Sequence, residues 1–245
     1  MNFQVTGAGE LIWQTSLSTK LKATKFLSSN AEHTTGSKDR DKMLFFKLIL
    51  LVTAISFISY LLTTTIVDVA LLGRLDFYFS AKDFLIIKAN RIDFQDGFKC
   101  SGFSSAFVIR HWNISADGNS IYEKMPNKMR DSYVYPKGIF NFLSENGFKV
   151  KYCRGNLNAL KNAVAAGNPV IAMIKIRPDK NWLHYVPVVG YDGQNIFIAE
   201  SLAELSNCNE PHYNIRIPAK EFKKLWNTAM PKMPLYANTF FTVER

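Results

Sequence analysis

Cysteine and histidine, which are common ligands of transition metals in proteins, are scarce in this sequence. It holds 3 cysteines and 4 histidines in 245 residues, and His33, His111 and His212 are isolated from other metal-ligating side chains. It contains no glycine-rich phosphate loop, no nucleic-acid-binding motif and no internal repeat. We therefore expect neither a metal site nor a nucleic-acid partner, and we expect no repeat architecture.

Concentrated charge is also lacking. From Phe77 onward the chain has 22 Lys and Arg against 14 Asp and Glu. An anionic membrane surface or a cell-wall polymer would attract such a surplus. However, the basic residues are scattered and only Lys223 and Lys224 are adjacent, which is typical of an ordinary solvated surface.

One long segment lacks charge altogether. Leu48 to Val67 is a run of apolar residues with Ser, Thr and Tyr as its only polarity, and it is long enough to span a bilayer. We predict a transmembrane helix or signal anchor over residues 44–68, against the alternative of a buried core helix. Basic residues are denser before this segment (Lys38, Arg40, Lys42, Lys47) than after it (Arg74, Lys82). The positive-inside rule then predicts a single-pass protein of the cell membrane with its C-terminal domain outside.

A cleaved signal sequence is the alternative to an anchor. Translation from Met43 would give it a short basic start, and the domain would then be secreted. A signal peptidase site after Ala70 would place Asp68 at the −3 position, where a small residue is needed, and this disfavours cleavage. Residues 1–43 are rich in Ser, Thr and Lys, and we expect them to be disordered or not part of the native product.

Cys100 is the candidate nucleophile. A thiol with its usual pKa of about 8.5 needs a helix N-terminus or a histidine to ionise at neutral pH. The turn Asp96-Gly97 precedes Cys100, and the spacing of the apolar residues after it predicts a helix that begins there. Gln95 lies five positions upstream, and its side-chain NH2, with the backbone N–H of Cys100, is the candidate oxyanion donor.

His184 and Glu200 complete the candidate site. His184 starts a β-branched run that ends in a Gly190–Gly193 turn, and Glu200 ends the next apolar run. In an antiparallel hairpin the start of one strand lies near the end of the next. We therefore predict that the Glu200 carboxylate reaches the His184 imidazole. Each residue alone has an ordinary structural reading; only the joint pattern indicates catalysis.

The motifs around these residues resemble a known family. Gln95 through Cys100-Ser-Gly-Phe-Ser-Ser-Ala-Phe-Val-Ile-Arg110, Gly167-Asn-Pro-Val-Ile and His184-Tyr-Val-Pro-Val-Val-Gly-Tyr-Asp resemble the papain-like bacterial cysteine peptidases related to bacteriocin-leader (double-glycine) processing domains. The resemblance covers about residues 90–202. It implies Cys100 as nucleophile, His184 as general base and acid, Gln95 as oxyanion donor and Glu200 as the residue that orients His184.

Two positions depart from the family pattern. Ser101 follows the cysteine where the family usually has Gly, and Glu200-Ser201 stands where Asp, often followed by Pro, is more typical. Asn195 and Ser201 therefore stay open as alternative orienting groups.

The rest of the C-terminal part predicts one α+β domain of papain-like cysteine peptidase fold over residues 77–245. Its nucleophile helix would pack on an antiparallel sheet. We expect helices at Pro136–Asn146, Leu157–Ala166 and Ala219–Trp226. We expect strands at Val150–Cys153, Val170–Ile176, near Ile215 and at Thr239–Val243. Asp117-Gly118-Asn119 is expected to interrupt the regular structure after the first helix. Outside the cell, Cys153 and Cys208 either form a disulfide or stay free.

These features predict a membrane-anchored, outward-facing cysteine peptidase or amide hydrolase. Its partners would be a peptide or protein substrate and, through the N-terminal helix, the membrane. The mechanism needs no cofactor. Acyl transfer through the same thioester and a non-catalytic binding module of the same fold remain the alternatives.

Overall fold

The computed structural model describes residues 39–60, 72–75, 81–230 and 236–245. The chain divides into two compact units, Met1–Leu61 and Leu62–Arg245. In the first unit, helix α1 (Asp39–Tyr60) is exposed along its whole length. Among the described residues it is the one helix that is long and apolar enough to cross a membrane, a test that a signal sequence also passes.

Helix α1 begins earlier than the expected span over residues 44–68. Residues 39–43, which we expected to be disordered or non-native, form its first turn. Residues 61–68 of the expected span, and residues 1–38, lie outside the described residues.

The second unit mixes helices and strands. Its helices are α2 (Cys100–His111), α3 (Gly118–Lys124), α4 (Pro136–Glu145), α5 (Leu157–Ala165) and α6 (Ala219–Trp226), with a short 3-10 helix at Ala203–Leu205. Its strands are β1 (Leu72–Leu75), β2 (Phe84–Leu85), β3 (Lys149–Gly155), β4 (Val170–Lys175), β5 (Leu183–Tyr191), β6 (Asn195–Ile198), β7 (Ile215–Pro218) and β8 (Thr239–Glu244). The predicted α+β class is confirmed.

The strands form one sheet in the order β1-β3-β8-β4-β5-β6-β7, with β2 paired to β5. All pairs are antiparallel except β1 with β3. Strand β5 is central and all nine of its residues are buried, which explains why its residues other than His184 are mostly apolar. Strand β1 joins the sheet upstream of Phe77, where we expected the domain to start.

Two large apolar cores lie against the sheet, and a smaller third cluster contains Phe107 and Val189. One large core contains residues of α2, α3 and α4 with Tyr152, Met173 and Phe241 of the strands. The other large core contains residues of α5 and α6 with Val170, Val186 and Phe240. In strand β4 neighbouring residues alternate between these two cores, as the two-residue period of a strand requires.

Helix α2 lies within the fold, not on its surface. Eleven of its twelve residues are buried, so it needs no polar face. Its serines, glycine and alanine allow neighbouring elements to approach closely. The Ser104 hydroxyl donates a hydrogen bond to the backbone oxygen of Tyr185 on β5 at 2.6 Å, which ties the nucleophile helix to the histidine strand.

The prediction that Asp117-Gly118-Asn119 interrupts the regular structure was wrong. Gly118 begins helix α3, and the Asp117 side chain caps it by accepting a hydrogen bond from the backbone N–H of Ser120 at 2.8 Å. The same turn-forming residues that suggest a break also start helices. Cys153 is buried and Cys208 half-buried, and both are free thiols, so the two do not form the alternative disulfide.

Candidate active site

Cys100 is the first residue of helix α2 and is buried. No side chain caps this helix start; the N–H groups of Gly102 and Phe103 donate to the backbone oxygen of Lys99. The N–H of the first residue of a helix has no partner within the helix and points out of its N-terminus. The thiol and a backbone donor therefore lie together at the positive end of the helix dipole.

His184 and Glu200 form a buried ion pair. The Nε2 atom of His184 lies 2.6 Å from Oε1 of Glu200, and both side chains are almost fully buried. The sheet register pairs Val188 with Ile198, so His184 and Glu200 are not directly opposite each other. The side chain of Glu200 spans the offset. Cys100 lies close enough to the same imidazole to act on the pKa of His184. Because Glu200 contacts Nε2, Nδ1 is the ring nitrogen left for the thiol.

This environment controls the protonation of His184. Burial lowers the pKa of His184, but the charge of Glu200, its hydrogen bond and the nearby Cys100 outweigh burial and raise the pKa to about 10. The imidazole is then cationic at neutral pH. A cationic imidazole between a carboxylate and a thiol is the arrangement that supports a thiolate nucleophile.

Backbone contacts hold Glu200 in place. Its Oε1 also accepts a hydrogen bond from the N–H of Leu202 at 2.7 Å. Asn214 holds the backbone of Glu200 from both sides: its Oδ1 accepts from the Glu200 N–H at 2.6 Å, and its Nδ2 donates to the Glu200 oxygen at 2.9 Å. Glu200 Oε2 is buried without a hydrogen-bond partner among the described residues. The carboxylate therefore acts mainly through Oε1.

Gln95 lies on the loop before Cys100 and contacts the residue that follows Glu200. Its N–H donates to the backbone oxygen of Ser201 at 2.8 Å, and its Oε1 accepts from the Ser201 hydroxyl at 2.7 Å. Its Nε2 donates to the backbone oxygen of Gly97 at 2.6 Å. Gly97 has a φ of +68°, a conformation that favours glycine and turns the chain toward helix α2.

Arg110 ties this loop to the other end of helix α2. Its guanidinium lies 3.0 Å from the Asp93 carboxylate and donates to the backbone oxygen of Arg91 at 3.0 Å. It also donates to the oxygen of Ala116 at 2.9 Å. The arginine side chain is 9% exposed and that of Asp93 is 28% exposed, so the pair is partly shielded from water. The loop that carries Gln95 is thus fixed at both ends.

Tyr133 lies near the nucleophile on the loop between α3 and α4. Burial, with the nearby Cys100 and Asp131, raises the pKa of Tyr133 to about 12, so its hydroxyl stays protonated. Its ring contacts that of Phe98 with centroids 5.8 Å apart. Phe98 itself is 60% exposed, and Phe94 and Trp182 are 56% exposed each. Exposed aromatic residues thus lie within two positions in sequence of Gln95, Cys100 and His184.

The structure brings Cys100, His184 and Glu200 together, and it joins Gln95 to the Glu200 turn. The alternative orienting groups contact other residues. Asn195 binds Asp192 through its Nδ2, and Ser201 binds Gln95. Sequence reasoning missed the contacts of Asn214, Arg110 and Tyr133. A buried asparagine or arginine has no local sequence signal; its role depends on which distant backbone it reaches.

A central helix that begins at a cysteine, packed on an antiparallel sheet that carries a buried histidine, is the papain-like cysteine peptidase fold. The model of the Peptidase_C39 like family matches residues 88–232. The chain belongs to this family, and the resemblance seen in its motifs is confirmed.

Two solved structures share the fold. One is the peptidase domain of Streptococcus ComA, described as a bi-functional ABC transporter involved in a quorum-sensing pathway; it is 13% identical with a TM-score of 0.50, over 64% of this chain and 98% of that one. The other is a C39-like peptidase from Bacillus anthracis, 15% identical with a TM-score of 0.50, over 66% of this chain and 97% of that one. No curated protein matches the chain.

Proposed function

We propose that this protein is a membrane-anchored cysteine peptidase that cleaves peptide bonds outside the cell through Cys100, His184 and Glu200. The observation that carries the proposal is the buried 2.6 Å contact between His184 and Glu200, with Cys100 at a helix start and close enough to act on the pKa of the same imidazole. A structural histidine would not need both a buried carboxylate and a thiol. Membership of a peptidase family supports the same reaction.

The first half of the reaction forms a thioester. The Cys100 sulfur attacks the substrate carbonyl carbon, an S–C bond forms, and the carbonyl oxygen becomes an oxyanion. The side-chain N–H of Gln95 and the N–H of Cys100 stabilise that oxyanion. His184, already protonated, gives its proton to the departing amine as the C–N bond breaks.

The second half regenerates the enzyme. Neutral His184 takes a proton from water, the hydroxide attacks the thioester carbon, and the S–C bond breaks to release the acid product. His184 is then again the cation beside the thiolate. Glu200 keeps Nε2 protonated and holds the imidazole in orientation throughout.

A peptide is the substrate class that the surroundings favour. The Streptococcus structure with the same fold is a peptidase domain. Phe94, Phe98 and Trp182 are each more than half exposed and lie within two sequence positions of Gln95, Cys100 and His184. Aromatic side chains are enriched where proteins bind other chains. Side chains that flank the scissile bond would pack on these rings.

Active-site labelling tests the catalytic part of the proposal. The full chain in detergent is treated with a fluorescent iodoacetamide, and a peptide library is screened for cleavage. We expect fast labelling and cleavage by the wild type, and loss of both in Cys100→Ala. Cys153→Ala and Cys208→Ala are matched controls that keep both activities. Cleavage that survives in Cys100→Ala would overturn the proposal.

Topology is tested separately. Helix α1 would anchor the protein, and the excess of basic residues before the uncharged segment that starts at Leu48 predicts a cytoplasmic N-terminus. We expect the protein to stay in the membrane fraction at alkaline pH, and protease added to intact cells to digest the C-terminal unit. Digestion that requires permeabilised cells would reverse the orientation, and release at alkaline pH would exclude an integral anchor.

A further inference from the structure

We propose that Ser201 is a positioning residue that orients the Gln95 amide for oxyanion binding. This inference rests on the function proposed above. Ser201 follows Glu200 directly and is buried, and it contacts Gln95 twice: through its backbone oxygen at 2.8 Å and through its hydroxyl at 2.7 Å. The residue next to the proposed triad carboxylate thus controls the proposed oxyanion donor.

The two contacts of the Gln95 side chain define which end of the amide faces which neighbour. Its Oε1 accepts from the Ser201 hydroxyl, and its Nε2 donates to the Gly97 oxygen at 2.6 Å. A backbone oxygen can only accept, so an amide rotated by 180° would set two oxygens against each other there. The Ser201 hydroxyl supplies the complementary donor on the opposite side. Together they hold the NH2 group on the side of the turn before Cys100.

The amide nitrogen has a second hydrogen to offer. An NH2 group carries two N–H donors, and the Gly97 oxygen takes one of them. The second can bind an oxyanion once the orientation is fixed. Without the Ser201 hydroxyl, the Gln95 amide keeps its backbone bond but loses the contact that holds Oε1. It then samples orientations in which oxygen, not nitrogen, faces the developing negative charge.

This role differs from that of a simple structural contact. The backbone bond between Gln95 and Ser201 already joins the loop to the turn, and it does not depend on the serine side chain. A hydroxyl that only supported the fold would affect every reaction of Cys100 equally. A hydroxyl that orients the amide affects only reactions that build negative charge on a carbonyl oxygen.

Two reactions of the same thiol separate these cases. p-Nitrophenyl acetate acylates Cys100: the S–C bond forms through an oxyanion, and p-nitrophenolate leaves with the bonding electron pair. Iodoacetamide alkylates Cys100 by direct displacement of iodide, and no oxyanion forms. Both probes react with a thiolate without requiring the natural peptide, so the full chain in detergent can be used.

For Ser201→Ala we expect acylation about 5- to 10-fold slower, which corresponds to one hydrogen bond of ordinary strength. Alkylation should change less than about twofold, since no donor is needed there. Gln95→Ala should slow acylation about 100-fold, as for the loss of an oxyanion donor. Ser201→Ala should add nothing in the Gln95→Ala background, and Ser201→Thr, which keeps the hydroxyl, should restore most of the rate.

Ser105→Ala is the matched control. Ser105 is a buried serine on helix α2 whose hydroxyl has no hydrogen-bond partner within the described residues. Its removal tests the loss of a buried hydroxyl without the loss of a contact to Gln95. We expect wild-type rates with both probes.

Several results would overturn the inference. If Ser201→Ala is acylated at the wild-type rate, Ser201 has no positioning role, but the proposed peptidase function stands. The same conclusion follows if Ser201→Ala slows acylation as much in the Gln95→Ala background as in the wild type. If Ser201→Ala slows alkylation as much as acylation, Ser201 supports only the folded structure. A wild type that is alkylated at Cys100 but never acylated overturns the proposed peptidase function, and the role of Ser201 with it.

Discussion

Gly102 of helix α2 and Tyr122 of helix α3 are in such close contact that a Cβ atom on Gly102 would lie 2.7 Å from the Tyr122 Cβ. The neighbouring Gly118 adds a rigid backbone oxygen on the same side. The crossing of the two helices therefore requires glycine two residues after the nucleophile. Ser101, which stands where the family usually has glycine, is buried and lies in the same first turn of α2.

Gly102→Ala should destabilise the protein and disturb the nucleophile. Its methyl group cannot enter without moving α3 or tilting α2, a clash of the kind that costs about 1–3 kcal/mol. We expect a lower free energy of unfolding in urea and slower alkylation of Cys100. Gly193→Ala is the control, because Gly193 has no atom within 4 Å of an added Cβ. A Gly102→Ala protein as stable as this control would show that the helices separate without cost.

The raised pKa of His184 predicts a pH dependence that Glu200 controls. The folded pKa of about 10 lies above the unfolded value of about 6.5. The stabilisation is therefore complete below pH 6.5 and is lost as the pH rises through about 10. We expect the His184 NMR signals to titrate near pH 10 in the wild type, and at a much lower pH in Glu200→Gln.

Glu200→Asp separates charge from reach in the same experiment. It keeps the carboxylate but shortens the side chain, so the pKa of His184 should fall between those of the wild type and Glu200→Gln. An unchanged titration in Glu200→Gln would mean that the carboxylate does not hold the proton. Urea unfolding measured at pH 6 and pH 9 should show a smaller difference in Glu200→Gln than in the wild type.

Arg110→Lys should destabilise the loop that carries Gln95. Lysine cannot reproduce the forked contacts to Asp93, Arg91 and Ala116. Hydrogen bonds that involve a charged group contribute about 1.5–3 kcal/mol, and we expect a loss of that order. Arg177→Lys is the matched control, since the Arg177–Asp179 pair is more than half exposed and should change stability by less than about 1 kcal/mol. Equal effects in urea unfolding would contradict this view.

Asn214→Ala should weaken both stability and catalysis, because it leaves the buried backbone N–H and oxygen of Glu200 without partners. The expected loss is on the order of 2 kcal/mol in urea unfolding. Asn207 makes the same pair of bonds to the backbone of Arg216, but at an exposed position where water can replace them. Asn207→Ala should therefore have little effect. Equal losses in the two variants would mean that burial is not the cause.

Local structure was predictable wherever short-range signals agreed. Helix α5 begins after Asn156, whose side chain accepts from the N–H of Ala159 at 2.8 Å, and Gly167 follows its end with a φ of +91°. Helix α6 and strand β4 likewise match their apolar patterns. Helix α3 was missed because Asp117-Gly118 is compatible with both a turn and a helix start, and packing against α2 decides between them.

The candidate site was predictable in its residue types but not in its connections. The sequence by itself determined a cysteine at a helix start, a histidine and a glutamate in one hairpin, and a glutamine nearby, because each depends on local periodicity and turns. Only the tertiary structure decided that Ser201 binds Gln95 across 106 positions, that Asn214 holds Glu200 and that Arg110 holds the loop. Contacts between distant segments depend on how the whole chain packs, and no local pattern encodes them.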